Sequence, residues 1–275
     1  MTSFQRAIKY VSICFAFFLV FVIITSIFGG IYAVFSIFDS GKSEPEYEVE
    51  NISCSLNGDI KSLDIDTNVV DLKLLIGDSF DVKTNNKNIN CKQDGSVLKI
   101  KESGSGVVNS KNKVLEVRIP KDYLFEYVDI DSDVGKIYVE SVNSKILNFD
   151  LGAGDANIDY INSGDVDVET GAGNFYINSG TIGNLELDQG VGKVYVNAYL
   201  RGTSKIEGGV GKLDINLLGG KDNYRIVVEK GVGSIKVDGN AVVNENMIGS
   251  GNSKVNIEGG VGEININFKS NDWIG

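Results

Sequence analysis

The chain of 275 residues has no histidine, only two prolines, three cysteines and a single tryptophan. Without histidine it lacks the commonest general base, the usual serine and cysteine triads, and the ligand on which most zinc sites depend. Positive charge is also scarce: 26 Lys and Arg face 37 Asp and Glu, a net of -11. That acidity excludes nucleic acid as an expected partner, because phosphate repulsion would have to be overcome. From residue 51 onward no run has helical spacing, and 51–275 reads as β.

What is present begins with an apolar run. The 29 residues of 10–38 carry no charge and are rich in Phe, Ile and Val. A bilayer-crossing helix needs roughly 20. A cleaved signal peptide has an apolar region of about 7–15 residues ending in small residues, and Phe35-Ser-Ile-Phe-Asp39 offers no such site. The expectation is therefore a transmembrane helix at 10–38, with the lipid bilayer as one partner. Arg6 and Lys9 precede it, and Asp39, Glu44, Glu46, Glu48 and Glu50 follow. By the positive-inside rule residues 1–9 are cytoplasmic and the remainder is outside the cytoplasmic membrane. Residues 39–50 form a short acidic linker.

Residues 51–130 contain alternating apolar and polar runs broken by Gly, Asn and Ser, read as irregular β-rungs. Cys54 and Cys91 fall in two such runs, and a disulfide between them is left open, since geometry decides it.

A repeat then takes over at Asp131 and runs to residue 268, leaving 269–275 as a tail. Clear copies read Asp188-Gln-Gly-Val-Gly-Lys-Val-Tyr-Val-Asn197, Glu207-Gly-Gly-Val-Gly-Lys-Leu-Asp-Ile-Asn216 and Glu258-Gly-Gly-Val-Gly-Glu-Ile-Asn-Ile-Asn267. The second glycine recurs every 19 residues at Gly135, Gly154, Gly173, Gly192 and Gly211, then at Gly233 and Gly262 after insertions. A fixed period of this size marks a stacked solenoid. The fold class is thus an all-β, single-stranded β-solenoid with rungs of about 19 residues, preceded by one transmembrane helix.

Counting the acidic residue as position 1, positions 7 and 9 are apolar and point inward, as in Phe175 and Ile177. A second strand, as in Leu185-Glu-Leu187, supplies another inward pair. The paired glycines make corners. A phosphate-cradling loop would open a helix, whereas every copy here opens a strand. The calcium-binding nonapeptide solenoid is also unsuited, because Gly208-Gly-Val-Gly-Lys-Leu213 puts Leu where its Asp belongs. No metal, cofactor or catalytic residue is assigned. Three outward columns remain: the acids of position 1, the Asn residues of position 10 (Asn178, Asn197, Asn216 and Asn267), and Tyr138, Tyr176 and Tyr195 at position 8. Stacked Asn amides hold rungs in register. The tyrosines form a candidate surface-binding stripe for an envelope glycan or protein.

Val114-Leu-Glu-Val-Arg-Ile-Pro120, then Val128-Asp-Ile-Asp-Ser-Asp-Val-Gly-Lys-Ile-Tyr-Val139, then the repeated glycine units resemble the bacterial putative-adhesin family, a β-strand-repeat domain of unknown function. That family is often preceded by one membrane helix, and the likeness covers roughly residues 51–268. The resemblance implies a β-solenoid on the cell envelope and offers no catalytic residues. This chain departs in carrying mostly Val or Ala between the repeat glycines. The expected function is a non-enzymatic surface adhesion or scaffold module. An accessory or sensor role in an envelope-stress system is the alternative, and a carbohydrate-active enzyme ranks below both. A cleft holding three or more carboxylates would favour that last reading.

Overall fold

A computed structural model describes residues 49–269, apart from 53, 55, 57–58, 105–112 and 243–246. The expected membrane helix at 10–38 and most of the linker lie outside the described residues. Among the described residues no helix is long and apolar enough to cross a membrane.

The strands are β1 (Glu50–Asn51), β2 (Ser62–Val69), β3 (Asp71–Gly77), β4 (Asp81–Thr84), β5 (Ile89–Asp94), β6 (Val97–Glu102) and β7 (Val114–Pro120). There follow β8 (Leu124–Ile177), β9 (Gly180–Leu200), β10 (Thr203–Glu207), β11 (Val210–Leu218), β12 (Tyr224–Glu229), β13 (Val232–Val237), β14 (Asn240–Ala241), β15 (Ser253–Glu258) and β16 (Val261–Lys269). β8 is 54 residues long because ladder pairing continues around its corners. Each rung has two walls, and one hydrophobic core runs between them through the stack.

The repeat positions act as their chemistry dictates. Phe175, Ile177, Leu185 and Leu187 are all buried at 1 % exposure or less. Ala156 holds the same repeat position as Phe175 one rung earlier, and the Phe149 ring meets that of Phe175 edge-on, with centroids 5.9 Å apart. Parallel register holds the 19-residue offset, so that Phe175 pairs with Val194 and Tyr176 with Tyr195. At the corner, Gly173 has φ 148°, and a Cβ there would lie 1.6 Å from the Gly154 carbonyl oxygen. Stacked corners come too close for any side chain, which is why glycine recurs there.

The order of stacking departs from the order of the chain at both ends. At the far end β16 pairs with β11 on one side and with β13 on the other. β15 likewise lies between β10 and β12. The last repeat in sequence is thus the penultimate rung, and 224–237 is the terminal one. At the near end β2 and β3 pair with β8 on one side and with β6 and β7 on the other. The segment expected to be irregular therefore holds two true rungs. Antiparallel β4 and β5 close over the outermost of these, and β14 pairs with β13 at the opposite end. Covering terminal strands in this way removes long open edges. Cys54 and Cys91 are joined in a disulfide with their Cα atoms 5.1 Å apart, tying β5 to the segment that enters the domain.

Candidate functional site

Strand alternation puts positions 6, 8 and 10 on the outer face of one wall. Tyr176 and Tyr195 are in-register neighbours there, half-buried, with ring centroids 6.3 Å apart and tilted by 43°. Lys193 leans back across the rung, its Nζ 5.5 Å from the Tyr176 centroid and 5.8 Å from that of Tyr195. Two aromatic faces and one ammonium form a small platform, in which the cation is drawn to the ring faces.

Tyr138 does not belong to it. Asn157 occupies the same repeat position on the intervening rung, so the expected stripe of three is a pair and an outlier. The Tyr138 hydroxyl donates to Asp159 Oδ2 at 2.6 Å, and chiefly this bond, with burial second, pushes the phenol up to about 12. Asp159 Oδ1 in turn accepts from Asn157 and Asn178 at 2.9 and 3.1 Å. Tyr138 is thereby committed to holding rungs together.

The position-10 amides serve the same purpose in part. Asn178 donates to Asn157, Asn197 to the Asn178 carbonyl, and Asn267 to Asn216. Beyond Tyr195 the wall continues into Asp214, which accepts from Asn265 at 2.7 Å and pairs with Lys212 at 3.1 Å and Lys193 at 3.5 Å. Burial alone would raise the Asp214 carboxyl. The hydrogen bonds and the two lysines outweigh it and hold the group below its ordinary value.

The acidic column runs along the other wall, where Glu169, Asp188, Glu207, Glu258 and Glu229 stack in register. Burial, followed by repulsion from neighbouring acids, raises Asp131 and Asp188 above the usual carboxylate range. Lys101 offsets Asp64 and Asp66 near one end, and Lys205 pairs with Glu207 near the other. No group of three or more His, Cys, Asp or Glu among the described residues is placed to hold a metal ion. On the same wall a shallow groove of about 440 Å³ gathers Asp165, Asp167 and Glu186 beside Lys205. All three carboxylates are exposed to solvent.

Sequence reasoning missed a further feature, at the insertions rather than in the repeat. A cleft of about 580 Å³ is lined by Tyr199, Arg201, Asp222, Asn223 and residues 250–253. The signal was the lengthening of the period after Gly211.

A two-walled stack of parallel rungs defines a β-solenoid-like repeat protein, and comparison with known proteins places it more narrowly. Residues 60–272 match the Toastrack DUF4097 family, and the chain belongs to it. Among solved structures, a putative adhesin from Bacteroides fragilis is similar, with a TM-score of 0.55 at 17% identity over 81% of this chain and 98% of that one. A putative cell adhesion protein from Clostridium sporogenes matches at 20% identity and a TM-score of 0.32, over 81% and 98% of the two chains. A putative adhesin from Parabacteroides merdae matches at 9% identity and 0.38, over 82% and 98%. No curated protein matches the chain.

Proposed function

We propose that this protein is a surface adhesion or scaffold module of the bacterial envelope, held at the cytoplasmic membrane by residues 10–38 with the β domain outside. The observation that carries the reading is the Tyr176–Tyr195 platform with Lys193 above both rings. Half-buried rings on a rigid wall lose little conformational freedom when a sugar or protein surface packs on them. The likeness to structures named as putative adhesins supports the same direction.

The test is binding of envelope glycans and whole cells by the full chain. Replacing Tyr176 and Tyr195 together by Ser is expected to cost roughly tenfold or more in affinity, as hot-spot aromatics do. Tyr138→Ser is expected to affect stability rather than binding. Unchanged binding by the double variant would remove the platform as the site. The groove at Asp165, Asp167 and Glu186 gives a carbohydrate-active enzyme reading its one observation. Glycan cleavage abolished by Asp165→Asn and Asp167→Asn would favour that reading.

A further inference from the structure

The repeat is interrupted by two insertions, and the structure brings them to one corner. The connection from β11 to β12 contains Gly219 and Gly220, at φ 100° and 82°, followed by a 3-10 turn at Lys221–Asn223. The turn ahead of β15 supplies residues 250–252. In stacked repeats, insertions map to loops on one face, and that face often binds. Here they wall the cleft that holds Arg201.

Its floor is rigid. The Arg201 guanidinium carbon sits 5.7 Å from the Tyr199 ring centroid. Tyr199 lies against Tyr224, and Tyr224 against Phe268, each with centroids 6.2 Å apart. Tyr224 is wholly buried, and its hydroxyl donates to the Leu218 carbonyl at 2.6 Å and accepts from the Leu200 amide at 3.3 Å. Gly219 lets the Tyr199 ring lie close against the turn, since a Cβ there would meet Tyr199 Cε2 at 2.4 Å. Three aromatic rings thus brace one arginine.

Charge points to the occupant. Thr203, Lys254 and Arg225 stand in register on three adjacent rungs. Two residues earlier, in the connections that lead into these strands, stand Arg201, Asn252 and Asn223, and the Ser253 hydroxyl donates to the Arg201 carbonyl at 3.0 Å. Arg201, Lys254 and Arg225 are exposed, and none forms an ion pair with a described carboxylate. Side-by-side like charges on a sheet are unfavourable unless something opposite lies between them. In a protein of net charge -11, Asp222 is the one carboxylate among the residues lining the cleft, and it forms no ion pair with Arg201, Lys254 or Arg225. Arginine presents a planar fork that matches carboxylate or phosphate oxygens two at a time. Asn223, Asn252, Ser250 and Asp222 add the donors and acceptors that sugar hydroxyls require.

We infer that this corner binds an acidic polysaccharide, with Arg201 in the cleft and Lys254 and Arg225 on the adjoining strands gripping its carboxylate or phosphate groups. The site is separate from the tyrosine platform and does not depend on it. The polar lining favours a glycan over a membrane surface, which would ask for apolar side chains at the contact.

The full chain would be titrated with polygalacturonate, with phosphomannan, with neutral dextran and with phosphatidylglycerol vesicles. Binding of one or both acidic polymers is expected, weakening as salt rises, with dextran at least tenfold weaker. The stronger of the two acidic polymers identifies the anion. Arg201→Ala and the pair Lys254→Gln with Arg225→Gln are each expected to weaken binding about tenfold or more, and Arg201→Lys less than Arg201→Ala. Melting temperatures of these variants check that they fold, and Lys121→Gln, an exposed residue just after β7 at the opposite end of the stack, is expected to leave polymer binding intact. Equal binding of dextran, wild-type binding by the folded variants, or binding of vesicles in place of polymers would overturn the inference. Failure of the tyrosine pair in cell adhesion would count against the platform alone.

Discussion

Gly211 pairs in register with Gly262, although Gly233 follows it first along the chain. Gly233 lies on the far side of Gly262 and ends the stack. The repeat nearest the C-terminus is consequently an interior rung with a parallel neighbour on each side. Among the described residues, the rung before it in sequence has one parallel neighbour, a two-residue antiparallel cover and an antiparallel bridge from Ile248 to Ile226.

Hydrogen exchange should report this order. Backbone amides exchange through local opening, and terminal elements open first. Peptides spanning β13 are expected to exchange faster than those spanning β16, although β16 is the closer to the chain end. Equal rates, or the reverse, would contradict the interleaved stacking.

Gly173 and Gly95 separate close approach from backbone conformation. Both have positive φ, 148° and 61°, but a Cβ at Gly95 meets nothing within 4 Å, whereas at Gly173 it meets backbone at 1.6 Å. Gly95→Ala is expected to cost about 1 kcal/mol, from the positive φ alone. Gly173→Ala is expected to cost about 3 kcal/mol or more, because neighbouring rungs must move apart. Denaturant unfolding of the two variants gives the difference directly.

Carboxylates of opposite tendency give the pH profile two opposing slopes. Glu102 is 4 % exposed at its side chain, with Lys113 3.3 Å away. It accepts from the Asn68 and Val69 amides, each at 2.9 Å, and from the Asn86 amide at 2.8 Å. Burial pushes it up, but these bonds together hold it below its ordinary value. Its contribution is therefore present above the unfolded carboxylate value and lost as pH falls through the folded one. Glu102→Gln is expected to cost roughly 2 kcal/mol at neutral pH, with the difference closing as pH falls below about 4. Asp188 is raised by burial and then by Glu207, so its charge is a burden that appears as pH rises through its folded value. Asp188→Asn is expected to raise the melting temperature slightly at pH 7 and to leave it unchanged in acid. A uniform effect of either variant across pH would sink the assignment.

Much of this fold was legible in the residues themselves. The period of 19, the inward pairs such as Phe175 and Ile177, and the corner glycines follow from strand alternation and close approach, both local in sequence. Pro120, whose missing N–H suits a strand end, closes β7 opposite Gly77. The candidate site was less legible. Tyr138, Tyr176 and Tyr195 share a repeat position, yet the identity of the residue between them, Asn157, and a bond to Asp159 divided the set. Position in a repeat decides which face a side chain takes but not which atoms it reaches.

By itself, then, the sequence determined the unit: two strands per turn, an apolar pair on each, and glycine where the walls meet. Tertiary structure alone decided how the units are ordered, whether Cys54 meets Cys91, and where the insertions gather around Arg201. The reason is physical. Rungs built from near-identical strands pair almost equally well with any neighbour, so repeat energetics leave the stacking order nearly degenerate. The lengths and turns of the 22- and 29-residue spacings, and the covers at each end, then select one order. That selection is made by contacts distant in the chain, and local pattern carries no record of it.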